Sequence, residues 1–88
     1  MKLNNDDKVL LLDWGYTEKD FPQIEEAFHK SKTKYSVNNQ PISREEAIDL
    51  LGRNHYLTGI ARSAFHYSAA RDTKDGRIVY FDSSNLFR

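Results

Sequence analysis

The segment ISREEAIDLLG, residues 42–52, is punctuated at both ends, and this constrains everything built around it. Ser43 followed three places later by Glu46 has the pattern of a capping box, in which a hydroxyl and a carboxylate satisfy reciprocal backbone N–H groups. Ala47, Ile48, Leu50 and Leu51 then recur at helical spacing, and Gly52 ends the run. A two-turn helix is therefore pinned in mid-chain with an apolar face to bury. In 88 residues without a cysteine, one apolar core has to cover that face unaided by disulfides. A domain of this size buries only about 60–65% of the surface its unfolded chain exposes.

The flanking pattern supplies the remaining elements. Asn5 or Asp6 is placed to cap a short helix carrying Val9, Leu10, Leu11 and Leu12, with Trp14 near its end and Gly15 as its stop. A second helix is expected from about Asp20, with Pro22 tolerated in its first turn. Phe21, Ile24, Ala27 and Phe28 share one of its faces, and Glu25 and Glu26 turn outward. Residues 33–37 read as a short strand, and VNNQ before Pro41 marks the one strong break. Asn54 is expected to cap a long helix reaching about Arg71. Asp75-Gly76 reads as a tight turn before the strand-like residues 77–81. Asp82 is placed to cap a last turn that returns Leu86 and Phe87 to the core. The expected architecture is one α+β domain of order α-α-β-α-α-β, with a short two-stranded antiparallel sheet. Its first part (1–40) is helical with one strand; its second (41–88) is helix–helix–strand.

The long helix carries the most informative side chains. At about 100° per residue, Leu57, Ile60, Ala61, Ala64, Phe65 and Ser68 fall on one face, flanked by Tyr56 and Tyr67. Opposite them stand His55, Arg62 and His66, with Gly59, Ala69 and Ala70 beside them. Small neighbours would let a rigid partner approach, and arginine forks its donors onto phosphate or carboxylate oxygens. The structural alternative is that this face packs on another helix, with Arg62 paired to an internal acid. The aromatic residues divide in the same way, between stacking on bases and filling a small core, and the core reading is the more economical.

Composition narrows the function. The formal net charge is zero, which disfavours coating nucleic acid by bulk attraction. Residues 1–50 hold ten acidic and seven basic side chains, whereas residues 51–88 hold three acidic and six basic. No apolar run exceeds four residues, and the N-terminus has no continuous apolar stretch, so a cytoplasmic protein without a membrane span is expected. His55 and His66 lie about 16 Å apart along a helix, too far to share a metal. No glycine-rich phosphate loop, calcium loop or local Ser-His-Asp order is present. A non-enzymatic protein without a cofactor is the expectation.

Residues 42–52 also resemble the opening helix of excisionase-type and MerR-like winged helix-turn-helix domains. DGRIVYF (75–81) is similar to their wing, and DSSNL (82–86) to their closing element. The resemblance covers residues 42–87 and implies that the helix starting near Asn54 enters a DNA major groove by its N-terminal end. Arg53, Asn54, His55 and Thr58 would then approach bases, and Arg77 a phosphate. Arg62 and His66 complete the expected contact set. The whole chain also looks like small proteins carried by phages and mobile elements of Gram-positive bacteria. Two partners follow as expectations: DNA, bound by an accessory factor of a mobile element, or a host protein, blocked by a small inhibitor whose acidic first half mimics nucleic acid.

Overall fold

The computed structural model describes residues 3–84 apart from 31 and 32, with the backbone alone at 29 and 30. Helix α1 (Asn5–Asp13) leads through a 3₁₀ turn (Glu18–Asp20) into α2 (Phe21–Lys30). A hairpin of β1 (Lys34–Val37) and β2 (Gln40–Ile42) follows. Then come α3 (Arg44–Leu51), α4 (Arg53–His66) and a second hairpin of β3 (Ser68–Asp72) and β4 (Ile78–Asp82). The strands form one antiparallel sheet in the order β2-β1-β4-β3. The class is α+β as expected, but the sheet has four strands rather than two.

Each additional strand is disguised in the sequence. β2 contains Pro41, which has no N–H for a ladder. Val37 pairs with Gln40 and Tyr35 with Ile42 across a two-residue turn, so the nitrogen of Pro41 faces away from β1 and no bond is lost. The turn is Asn38-Asn39, with φ of 52° and 63°, the two left-handed residues that a type I′ hairpin requires. β3 is Ser-Ala-Ala-Arg-Asp, and its alanines prolong the helical pattern that precedes them. The helix expected to reach Arg71 instead stops at His66, because Tyr67 adopts φ +68° and reverses the chain. Ser68, Ala69 and Ala70 therefore belong to a strand and not to a helical stripe.

The helix boundaries also shift. Asn4, rather than Asn5 or Asp6, caps α1 through reciprocal bonds with Asp7 of 2.8 and 3.0 Å. Ser43 caps α3 as expected, accepting from the Glu46 N–H at 3.1 Å. The Glu46 carboxylate meets the Ser43 hydroxyl at 3.4 Å, so the reciprocal bond runs to the side chain. Gly52, not Asn54, opens α4, while also closing α3. Its φ of 80° and ψ of 158° form a combination almost confined to glycine. Ser84 N–H bonds the Asp82 carboxylate at 3.0 Å, as a cap there requires. Leu86 and Phe87 lie outside the described residues.

Helix α4 occupies the centre. All six residues from 56 to 61 are buried, so neither side of this segment faces solvent. It packs against α1, α2 and α3 as well as against β3 and β4. Gly59, read from the sequence as lying beside the exposed stripe, is instead pressed against the sheet. A Cβ there would lie 2.5 Å from the ring of Phe81. Around this contact the rings of Phe28, Tyr35, Tyr56 and Phe81 pack with centroids 5.4–5.8 Å apart. Buried hydroxyls run from Thr33 to Ser83 (2.7 Å) and on to Ser63 (2.8 Å), which donates to the Ile60 carbonyl. They tie β4 and the approach to β1 onto α4. Tyr35, Val37, Ala69, Val79 and Phe81 point into the core, while Ser68, Ala70, Ile78 and Tyr80 line an exposed sheet face.

Gly59→Ala tests the central contact. Alanine raises helix propensity by about 1 kcal/mol, so a helix taken alone would gain. The added methyl must displace Phe81, and overpacking of this kind costs about 1–3 kcal/mol. We expect a lower melting temperature, by about 4–8 °C per net kcal/mol. A melting temperature above the parent's would mean that α4 is not pressed onto the ring.

Candidate functional site

The seven residues singled out from the sequence fall into three places. Arg53 begins α4 and donates Nη2 and Nε to Asp7 at 2.7 and 3.2 Å, with its guanidinium 5.3 Å from the Phe28 ring centroid. Thr58 is buried, donates to the His55 carbonyl at 2.9 Å, and accepts from Arg71. Asn54 is exposed and His55 half-buried on the same turn. Arg77 lies at the far end of the β3–β4 hairpin, where it pairs with Asp75 at 2.7 Å. Arg62 and His66 stand exposed at the C-terminal end of α4. The set is thus not one surface: Arg53 and Thr58 serve the fold, Arg77 serves its own turn, and Arg62 and His66 remain outward.

Asp7 explains why Arg53 is held. Burial pushes its carboxyl upward, but the bonds from Arg53 and from the Asn4 N–H outweigh burial and leave it below the ordinary carboxylate value. Asp75 is likewise held well below the ordinary carboxylate value, chiefly by the Arg77 guanidinium and then by the Thr73 hydroxyl, in an exposed turn. Gly76 in that turn has φ +86°, as the Asp-Gly pair implies.

Arg71, expected near the end of the long helix, is more informative. Arg71 points inward from β3 and lies along α4, bonding Thr58 Oγ1 at 3.2 Å, the Thr58 carbonyl at 3.3 Å and the Ala70 carbonyl at 2.8 Å. All three acceptors are neutral. Its guanidinium sits 5.6 Å from the ring centroid of Trp14, a residue 56% exposed. Burial and then the charge of Arg62 push its pKa down, partly opposed by Tyr16. Tyr16 itself stacks on Phe65 at 6.0 Å, and burial raises its phenol although Arg62 and Arg71 both act to lower it. Two guanidiniums therefore share one neighbourhood with Trp14, Tyr16 and Phe65. Among the described residues no carboxylate forms an ion pair with either.

Next to this cluster runs a shallow recess of about 580 Å³, lined by Arg62, His66, Ser68, Ala70, Tyr80 and Asp82. It passes from the end of α4 around β3 to the exposed sheet face. The site combines fixed positive charge, exposed rings and small side chains along a strand. Such a surface suits an anionic partner with some apolar character. Sequence patterning could not find it, because Trp14, Arg62 and Arg71 are brought together only when α4 ends at His66. No family model, curated protein or solved structure matches the chain. No helix among the described residues is long and apolar enough to cross a membrane.

Two substitutions test these assignments. Arg62→Ala should stay within about 0.5 kcal/mol of the parent, as exposed positions without a partner usually do. A melting temperature several degrees lower would place Arg62 in the fold. Asp7→Asn should cost about 1.5–3 kcal/mol at pH 7, the usual worth of a charge-assisted bond. The folded-state pKa of Asp7 is depressed, so its contribution is complete above the unfolded value near ~3.9 and fades as pH falls through the lower folded value. Chemical denaturation at pH 7 and near pH 2 should therefore show the gap between parent and variant closing in acid. A gap independent of pH would mean that the charge of Asp7 contributes nothing.

Proposed function

We propose that the chain is a non-enzymatic binding protein that docks an acidic protein surface on the face formed by Arg62, Arg71 and Trp14. The observation that carries this reading is Arg71, a half-buried guanidinium beside a second one, whose hydrogen-bond acceptors are all neutral oxygens and whose other contact is the ring of Trp14. Desolvation and like charge both penalise that arrangement, and among the described residues no carboxylate forms an ion pair with either guanidinium to offset them. An acidic partner would supply it.

A DNA accessory role draws support from the order α3–α4–β3–β4, the succession of elements that the winged-helix resemblance implies. Its expected cations weigh against it. Arg53 and Arg77 are engaged with Asp7 and Asp75, and Thr58 is buried under Arg71. Neutralising two phosphates with Arg62 and Arg71 gives a salt slope of only about −1.8 on duplex DNA, far below that of typical binders. The protein partner is the better supported of the two, and inhibition of a host protein is one form such docking would take.

The test is a pull-down from host lysate with the parent chain and Arg62→Glu, each with and without nuclease. We expect a protein that survives nuclease treatment and is lost with the charge reversal. Arg62→Ala should weaken a purified complex by about 1.5–3 kcal/mol, roughly ten- to a hundred-fold. Trp14 is the sole tryptophan, so its emission should shift as the partner covers it. Capture that needs intact nucleic acid, or tight DNA binding with a salt slope of about −5 or steeper, would replace this reading with the DNA one.

A further inference from the structure

The two edges of the sheet are treated differently. At one edge β2 is three residues long, and its one outward-facing backbone nitrogen belongs to Pro41. That edge is closed to strand addition. The other edge is β3, which no described strand covers. Ser83 N–H bonds the Tyr67 carbonyl and Thr73 N–H bonds the Arg77 carbonyl, both at 2.8 Å. Antiparallel alternation then assigns the backbone groups of Ala69 and Arg71 to β4 and those of Ser68, Ala70 and Asp72 to the open side. The side chains of these three residues are exposed, and the first two are small. No lysine, proline or bulge interrupts the strand; the charges that restrain indiscriminate pairing at this edge are the inward-facing Arg71 and the exposed Asp72.

Charge selects what such an edge would take. On its helix side stand Arg62, His66 and Arg71, and the Arg71 guanidinium reaches the edge itself by donating to the Ala70 carbonyl. On the open-face side lie Asp72, Tyr80 and Asp82. We propose that β3 accepts an extended partner segment as a fifth strand, with acidic side chains at the alternate positions facing α4 and uncharged ones facing Tyr80. This rests on the reading of Arg62 and Arg71 as a docking face for an acidic protein, and specifies how the partner is held. Main-chain bonds to Ser68, Ala70 and Asp72 would supply the register, and the guanidiniums the selectivity. A second copy of the chain fits poorly. Antiparallel pairing about Ala70 would set Arg71 opposite Ala69 of the other copy and gather two arginine pairs along one seam.

The probe is a labelled eight-residue peptide alternating glutamate with valine, with a scrambled isomer of equal charge as its control. We expect saturable binding of the alternating peptide, at least ten-fold weaker binding of the scrambled one, and amide exchange at Ser68, Ala70 and Asp72 slowed at least ten-fold. Ala70→Pro removes an outward N–H with no internal bond to lose, and should abolish binding. Arg62→Glu, at an exposed position, serves independently should the proline variant unfold, and should weaken binding at least ten-fold. Binding that Arg62→Glu abolishes, without protection of the three edge amides, overturns strand addition and leaves the docking face standing. Binding that Ala70→Pro abolishes and Arg62→Glu does not change overturns the requirement for acidic side chains. No binding of the alternating peptide up to millimolar concentration overturns the proposal. So does edge protection in the free protein accompanied by dimer formation, or stronger edge protection by single-stranded DNA than by peptide.

Discussion

The structure depends on α4 lying flat against the sheet, and that contact depends on residue 59 having no side chain. Phe81 fills the space where a Cβ would stand, 2.5 Å away. Close approach on this side and helices on the other bury the middle of α4 on both flanks. Its polar groups must then be satisfied internally or emerge at the ends. Ser63 takes the first course, through Ser83 and the Ile60 carbonyl. Arg53 emerges at the N-terminal end and meets Asp7; Arg62 and His66 emerge at the other. The candidate surface is a consequence of where a central helix has to stop being central.

The charge asymmetry of the sequence resolves into unequal local pairing. Asp7, from the acidic first half, reaches across 46 positions to hold Arg53, while Asp75 holds Arg77 within a single turn. Neither acid forms an ion pair with Arg62 or Arg71. Strand alternation turns Arg71 to the same side as Ala69, onto Thr58 and toward Trp14. Its burial is tolerated because guanidinium is weakly hydrated and its planar donors match three neutral oxygens at once. A lysine at this position could not reproduce that geometry.

Features written in backbone chemistry were legible in the sequence. Ser43 and Gly52 bound α3, and Gly76 takes the positive φ that an Asp-Gly turn implies, because each depends on a few adjacent residues. Tyr56, Leu57, Ile60, Ala61 and Ala64 are buried as their spacing on the wheel predicts. What escaped depends on tertiary context. Pro41 is admissible in β2 only because its nitrogen faces outward, and Asn38-Asn39 makes a hairpin without the usual glycine. Ser68–Asp72 has helical propensity and becomes a strand because β4 offers it a ladder. The face expected to carry Gly59 and Arg62 together divides between a sheet contact and solvent, since helical spacing cannot reveal that both flanks of a helix are covered.

Tyr67 links that misreading to the candidate site. A tyrosine at positive φ costs on the order of 1 kcal/mol or more, and surrounding structure must enforce it. Enforcement comes in part from the ladder, where the Tyr67 carbonyl accepts the Ser83 N–H. The single-residue reversal sends β3 back along α4, so a strand edge lies beside the last turn of the helix it has just left. Had α4 continued to Arg71, Arg62 and Arg71 would lie nine residues apart on one helix, about 13 Å in rise, with no edge between them. Ending the helix at His66 brings the two cations into one neighbourhood and sets three outward-facing backbone positions alongside. The left-handed turn that conceals β3 from sequence patterning is thus what assembles charge and open edge on one surface.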